Sequence, residues 1–117
     1  MTPDTLYTLR DAIRAFAAER DWQQFHTPKN LVMALSVEAS ELMEHFQWLT
    51  PEQSMALDTA KRSEVTQELA DVLIYLVRLS DVLGMDLAVA AQEKIRLNAE
   101  KYPVEKAKGL ATKYTGL

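Results

Sequence analysis

Apolar residues recur along most of this chain at spacings of three and four, the period of an amphipathic helix, and no segment reads as a strand. Leu6, Leu9, Ile13 and Phe16 mark a first helix from about Asp4 to Arg20, with Asp4 as its N-cap. The stretch from Asp21 to Thr27 is a connector. Thr27-Pro28 then supplies a cap and a proline at the first helical position, so a second helix runs from there to about Leu49. Thr50-Pro51-Glu52-Gln53 has the form of a capping box and opens a short helix, followed by a loose stretch near Asp58 to Arg62. A third long helix, from about Lys61 to Leu83, stops at Gly84, and a last one capped by Asp86 ends before Pro103. The remaining tail, 104–117, shows no clear period. Loops this short favour antiparallel neighbours, so the expectation is an all-α antiparallel bundle of four main helices in a single domain, 1–117. Short helices from so small a chain leave apolar faces uncovered, which predicts self-association.

Carboxylates interrupt this pattern where leucines belong. Leu31, Leu35, Glu38, Leu42, His45 and Leu49 form one core-facing seam on the second helix, and Glu38 sits inside it. A buried unpaired charge costs on the order of several kcal/mol unless it is protonated or meets a cation. Glu41 is about 60° around the helix from Glu38 and can point at the same object. Glu44 is about 120° away and faces solvent. On the third long helix, Val65, Leu69, Val72, Leu76, Leu79 and Leu83 form an apolar seam. The adjoining ridge is Glu64, Glu68, Asp71, Tyr75, Arg78 and Val82. If these helices pack antiparallel, the pairs Glu38/Glu41 and Glu68/Asp71 face each other. Converging carboxylates repel, and a hard divalent cation, Mg²⁺ or Mn²⁺, resolves the repulsion. Mg²⁺ completes its shell with water and substrate phosphates, so the site implies a phosphate-bearing ligand. The plainer alternative is a half-buried Glu38 paired with His45 or a lysine, its neighbours merely solvated.

Composition narrows the function classes. The chain has 117 residues, 48% hydrophobic and 26% charged, which suits one globular domain. A net charge of −4 disfavours a nucleic-acid polymer as partner, since that work needs a basic footprint. Cysteine is absent, which removes thiolate metal sites and cysteine nucleophiles and fits a reducing, cytoplasmic setting. No apolar run approaches a membrane span, and the N-terminal stretch lacks the apolar core of a signal peptide. Glycine-rich phosphate loops, Gly-x-Ser-x-Gly and His-Glu-x-x-His are all missing.

Other residues are candidates for holding the rest of a substrate. Trp22 lies in the aromatic connector Arg20-Asp21-Trp22-Gln23-Gln24-Phe25-His26, and Trp48 near the end of the second helix; such rings stack on nucleobases or anchor cores and subunit interfaces. Lys94, Asn98 and Lys101 make a basic ridge on the last helix, either a phosphate-neutralising surface or a solvated face. Lys113 and Tyr114 add a cation and an aromatic in a tail of the kind that often frays.

Glu38-x-x-Glu41-Leu42 followed by Glu68-Leu69-x-Asp71-Val72-Leu73-Ile74-Tyr75 resembles the signature of the all-α nucleoside triphosphate pyrophosphohydrolases, the MazG-like superfamily. The blocks Phe16-Ala17-Ala18-Glu19-Arg20-Asp21-Trp22, Gln24-Phe25-His26, Phe46-Gln47-Trp48, Tyr102-Pro103 and Lys113-Tyr114-Thr115 resemble its dCTP pyrophosphatase branch. The resemblance implies Mg²⁺-dependent hydrolysis of a nucleoside triphosphate to the monophosphate and pyrophosphate. It implies metal coordination by Glu38, Glu41, Glu68 and Asp71. It places Trp22, His26 and Trp48 around the base and sugar, and Tyr75 near the acids. Lys94, Asn98, Lys101, Lys113 and Tyr114 become candidates for phosphate contact. It also implies a homodimer or homotetramer with sites built between subunits. Ile13 stands where some members carry histidine, which bears on base preference. Glu41, at the edge of the seam, is the candidate general base. Two alternatives stay open: a house-cleaning enzyme of broader nucleotide specificity, and a non-catalytic helical dimerisation or adaptor domain.

Overall fold

The computed structural model describes residues 5–117; Asp4, the expected first N-cap, lies outside the described residues. The described residues are helical with intervening turns and contain no strand. They divide into two compact units, one ending at Gly84 and one beginning at Met85. No described helix is long and apolar enough to cross a membrane.

The first unit contains α1 (Thr5–Glu19), a 3₁₀ turn (Gln23–Phe25), α2 (Pro28–Glu44), the single-turn α3 (Pro51–Ser54) and α4 (Thr59–Val82). Three of its helices begin on side-chain caps. Thr27 accepts from the Asn30 N–H, and Asp58 accepts from the Lys61 N–H. Thr50 and Gln53 exchange both bonds of a capping box. The Asp58 cap starts α4 earlier than the sequence pattern suggested and removes the expected loose stretch. In turn, α2 ends at Glu44 rather than Leu49. Pro51 holds Thr50 extended, and residues 45–49 tighten into bonds such as Phe46 N–H to Met43 and Leu49 N–H to Phe46.

The end of α1 aims the connector. The Trp22 N–H reaches back to the Ala17 carbonyl and the Asp21 N–H to Ala18, a Schellman closure with Asp21 at φ 54°. The Gln24 amide bonds both the carbonyl and the carboxylate of Asp21, supporting that left-handed residue. The turn sets Trp22 edge-on to Phe16, ring centroids 5.6 Å apart.

α4 packs mainly on α2 and secondarily on α1. The α2–α4 pair is antiparallel. His26, just before α2, bonds Arg78 late in α4, whereas His45, just after α2, lies 3.7 Å from Glu64 early in α4. Ala17, Leu31, Val65 and Val77 are the buried apolar residues among those described. The seams are less deeply covered than their spacing predicts. Leu69 is 52% exposed, and Leu49 and Leu83 are also on the surface. With Val32, Met33, Val37 and Leu73 they leave apolar area on α2 and α4 facing outward.

The second unit contains α5 (Leu87–Lys101), capped by Asp86, and a one-turn α6 (Val104–Ala107). It closes on a 3₁₀ turn (Tyr114–Gly116). The tail is therefore more ordered than an aperiodic sequence suggested. Tyr114 meets Tyr102 edge-on at 6.0 Å, and the Lys101 ammonium lies 5.0 Å from the Tyr114 ring centre.

Candidate active site

Glu38 and Glu41 lie one turn apart on α2, and the antiparallel α4 brings Glu68 against them. Each of the three half-buried side chains offers a carboxylate oxygen within 4.8 Å of the other two. Asp71, one turn beyond Glu68, is exposed and stands outside this triad, but its charge reaches Glu38. Of the four expected ligands, three converge and the fourth borders the group.

The electrostatics are those of a crowded anion cluster. Desolvation, with hydrogen bonding to Glu68 and Glu41 and the charges of Glu41 and Asp71, pushes the Glu38 carboxyl up to about 7. The Glu68 Oε2 atom is buried with no hydrogen-bond partner. No described lysine, arginine or histidine pairs with Glu38. His45, the plainer partner for it, is taken by the Lys61 ammonium at 3.3 Å and by Glu64. An all-oxygen donor set, an orphaned buried oxygen and a carboxyl whose pKa is raised by desolvation and then by its acidic neighbours together fit a divalent cation.

Beside the acids lies a cavity of about 220 Å³, lined by Ile13, Trp22, His26, Asp71, Tyr75 and Arg78 among others. Asp71 belongs to its wall and also acts on Glu38, so cavity and acid cluster share an edge. Three of the residues expected to hold a base, sugar or nearby group, Trp22, His26 and Tyr75, are brought together here. Trp48 is not; it is 87% exposed and outside the cavity lining. Lys94, Asn98, Lys101, Lys113 and Tyr114 all belong to the second unit, on α5 and near the final turn.

Arg78 is the residue that sequence reasoning passed over. It is 6% exposed, the one buried charged residue among those described, and it lines the cavity. Its signal was its place on the Glu64–Glu68–Asp71–Tyr75 ridge within an otherwise apolar stretch. A cation there belongs to the face that carries the acids.

The chain is similar to known pyrophosphatases. dCTP pyrophosphatase 1 of Rattus norvegicus is 44% identical over 115 residues, covering 97% of this chain and 68% of the relative. The Homo sapiens protein of the same name is 43% identical over the same span. The crystal structure of a pyrophosphatase from Archaeoglobus fulgidus superposes with a TM-score of 0.80 at 38% identity, covering 88% of this chain and 96% of that one. The MazG-like family pattern matches residues 33–117, a span that takes in all four acids, and the chain belongs to the MazG-like family.

Proposed function

We propose that the chain is a Mg²⁺-dependent nucleoside triphosphate pyrophosphohydrolase that converts dCTP, or a modified dCTP, and water into dCMP and pyrophosphate. The observation that carries this reading is the shared edge: a metal-type acid triad adjoins an aromatic cavity through Asp71. Relatives named dCTP pyrophosphatase 1, matched over nearly the whole chain, support the choice of nucleotide.

Glu38, Glu41 and Glu68 would hold the cation, with Asp71 beside them. Mg²⁺, or Mn²⁺ in its place, supplies charge neutralisation for the triphosphate and acidifies a water. Glu41, half-buried at the edge of the seam, would accept the proton of the attacking water. Trp22 and Tyr75 offer ring surface to the base, and Ile13 gives the cavity an apolar wall. Phosphoryl chemistry asks mostly for positioning and charge stabilisation, so this small set of side chains suffices.

The uncovered apolar residues of α2 and α4 support assembly as a homodimer or homotetramer, and the exposed Trp48 is available to a neighbouring copy's site. A cysteine-free chain acting on free nucleotides fits the cytoplasm.

The test is pyrophosphate release with Mg²⁺ across canonical and modified nucleoside triphosphates. Release from dCTP above the other nucleotides supports the reading. Equal release from several bases replaces it with a house-cleaning enzyme of broad specificity, since aromatic stacking tolerates every base. No release from any nucleotide, with no rise in melting temperature on adding Mg²⁺ and dCTP together, leaves the helical adaptor reading and refutes the enzyme.

A further inference from the structure

Arg78, Asp81, Arg14 and His26 form a chain of polar contacts that the hydrolytic reading does not use. The Arg78 Nε–H donates to His26 Nδ1 at 3.0 Å, and an Arg78 terminal nitrogen lies 3.5 Å from Asp81 Oδ2. Asp81 also takes a two-pronged contact from Arg14, whose Nε–H donates at 3.0 Å. The chain thus ties α1, α4 and the connector before α2 together at one end of the cavity. Two guanidinium groups share one carboxylate.

We propose that Arg78 is a positioning residue that fixes His26 as a neutral ring donating its Nε2–H into the cavity, so that the ligand group seated there is a hydrogen-bond acceptor. The claim rests on the cavity being the base and sugar pocket. Arginine has donors only and keeps its proton throughout the accessible pH range. Its partner nitrogen, Nδ1, must therefore be the bare acceptor, and the neutral ring carries its hydrogen on Nε2. An imidazolium would set one N–H against another. Burial, then the Arg78 charge, holds His26 below the ordinary histidine range, in the same direction. The ring lines the cavity, and no described residue accepts from its Nε2 side. Asp71, two turns before Arg78 on α4, also lines the cavity and is an acceptor. A carbonyl oxygen or bare ring nitrogen of a base, or a sugar oxygen, has the chemistry to meet His26.

The test uses the full chain labelled with ¹⁵N-histidine; with two histidines, His26 and His45, assignment needs one variant. Wild-type His26 is expected to show bare Nδ1 and protonated Nε2 at neutral pH. Arg78→Met keeps an unbranched chain out to the Nε position but has no donor, and should lose that pattern. Arg78→Gln places an amide nitrogen where the arginine has Nε, and should restore it. In turnover, Arg78→Met should raise KM for dCTP about tenfold while kcat changes little. A protonated Nδ1 in the wild type overturns the proposal without any variant, and so does an unchanged tautomer with unchanged KM in Arg78→Met. Adding dCMP should move the Nε2 resonance. A shift with dCMP but not with 2-deoxyribose 5-phosphate places the acceptor on the base, and a shift with both places it on the sugar. No shift with either, in a protein that hydrolyses dCTP, overturns the donor role. If no nucleotide is hydrolysed, the pocket reading fails, and the donor role toward a base or sugar fails with it. The wild-type tautomer then decides the Arg78–His26 claim alone.

Discussion

Glu38→Gln should make the metal-free protein more stable while destroying its metal response. In the folded protein the Glu38 carboxyl is pushed up to about 7 from an ordinary 4.5, chiefly by desolvation and then by its acidic neighbours. Ionising it in place costs about 3 kcal/mol at roughly 1.4 kcal/mol per pH unit, and solvent access to this half-buried group reduces that to about 1 kcal/mol. Because the folded-state value is the higher one, the stabilising contribution is whole below pH 4.5 and is lost as pH climbs through about 7. Metal-free wild type should therefore melt lower at pH 8 than at pH 5 by part of that amount, since pH 5 already lies above 4.5, and the difference is a few degrees for a chain of this size. Glutamine keeps the shape and hydrogen bonding without the charge, so at pH 8 the variant should melt about 4 °C above wild type. Saturating Mg²⁺ reverses the order: at a hundredfold excess over its Kd it adds about 2.7 kcal/mol to wild type and little to the variant. Pyrophosphate release should fall by orders of magnitude in the variant. Differential scanning fluorimetry across pH 5–8, with Mg²⁺ or with chelator, reads all of this. A variant that melts below wild type without metal, or that keeps the wild-type Mg²⁺ shift, refutes the account of strained acids awaiting a cation.

Two further outcomes follow from the scaffold. Hydrogen bonding from Arg14 holds Asp81 below the ordinary carboxylate value of 3.8, so its contribution is present above that pH and lost as acid protonates it. Asp81→Asn should cost about 2 kcal/mol at pH 7 in urea titration and flatten the acid limb of the stability curve. Gly84 ends α4 at φ +69° with nothing within 4 Å of an added Cβ, so Gly84→Ala should cost about 1 kcal/mol of backbone strain alone, measured by thermal melting with the pyrophosphatase rate constant unchanged.

Helix positions were legible because capping chemistry is local. Thr27, Thr50, Asp86 and Gly84 announce their elements through side-chain reach or backbone freedom, and the structure places them accordingly. The exceptions are informative. Asp58 caps α4 as the others cap theirs, although the sequence pattern there suggests a loose stretch. The far end of α2 kept its heptad spacing to Leu49, yet Thr50-Pro51 forces an extended residue and unwinds the last turn. Leu69 and Leu83 show the limit of periodicity, which says which residues share a face and not whether another element covers it. The acid triad was readable from Glu38 in a leucine seam, since few arrangements excuse a carboxylate there. Arg78 was not readable as a site residue. Its meaning lies in His26, distant in sequence and brought near by the antiparallel pairing of α2 and α4.

The two ends of the site are held by opposite physics. At the cavity end Arg14 and Arg78 are both held on Asp81, and the His26 ring is held on Arg78. Such a network fixes side chains before any ligand arrives, so the order it imposes is not charged against binding. At the acid end the groups repel, one buried oxygen has no partner, and Glu38 retains a proton near neutrality. That end reaches its favourable arrangement when positive charge enters. A nucleoside portion can therefore dock against a ready-made wall, whereas the triphosphate requires a cation to sit beside Glu38, Glu41 and Glu68 at all. Asp71 touches both regimes, as cavity wall and as a source of Glu38's raised pKa, which makes it the residue through which metal loading and nucleoside docking influence each other.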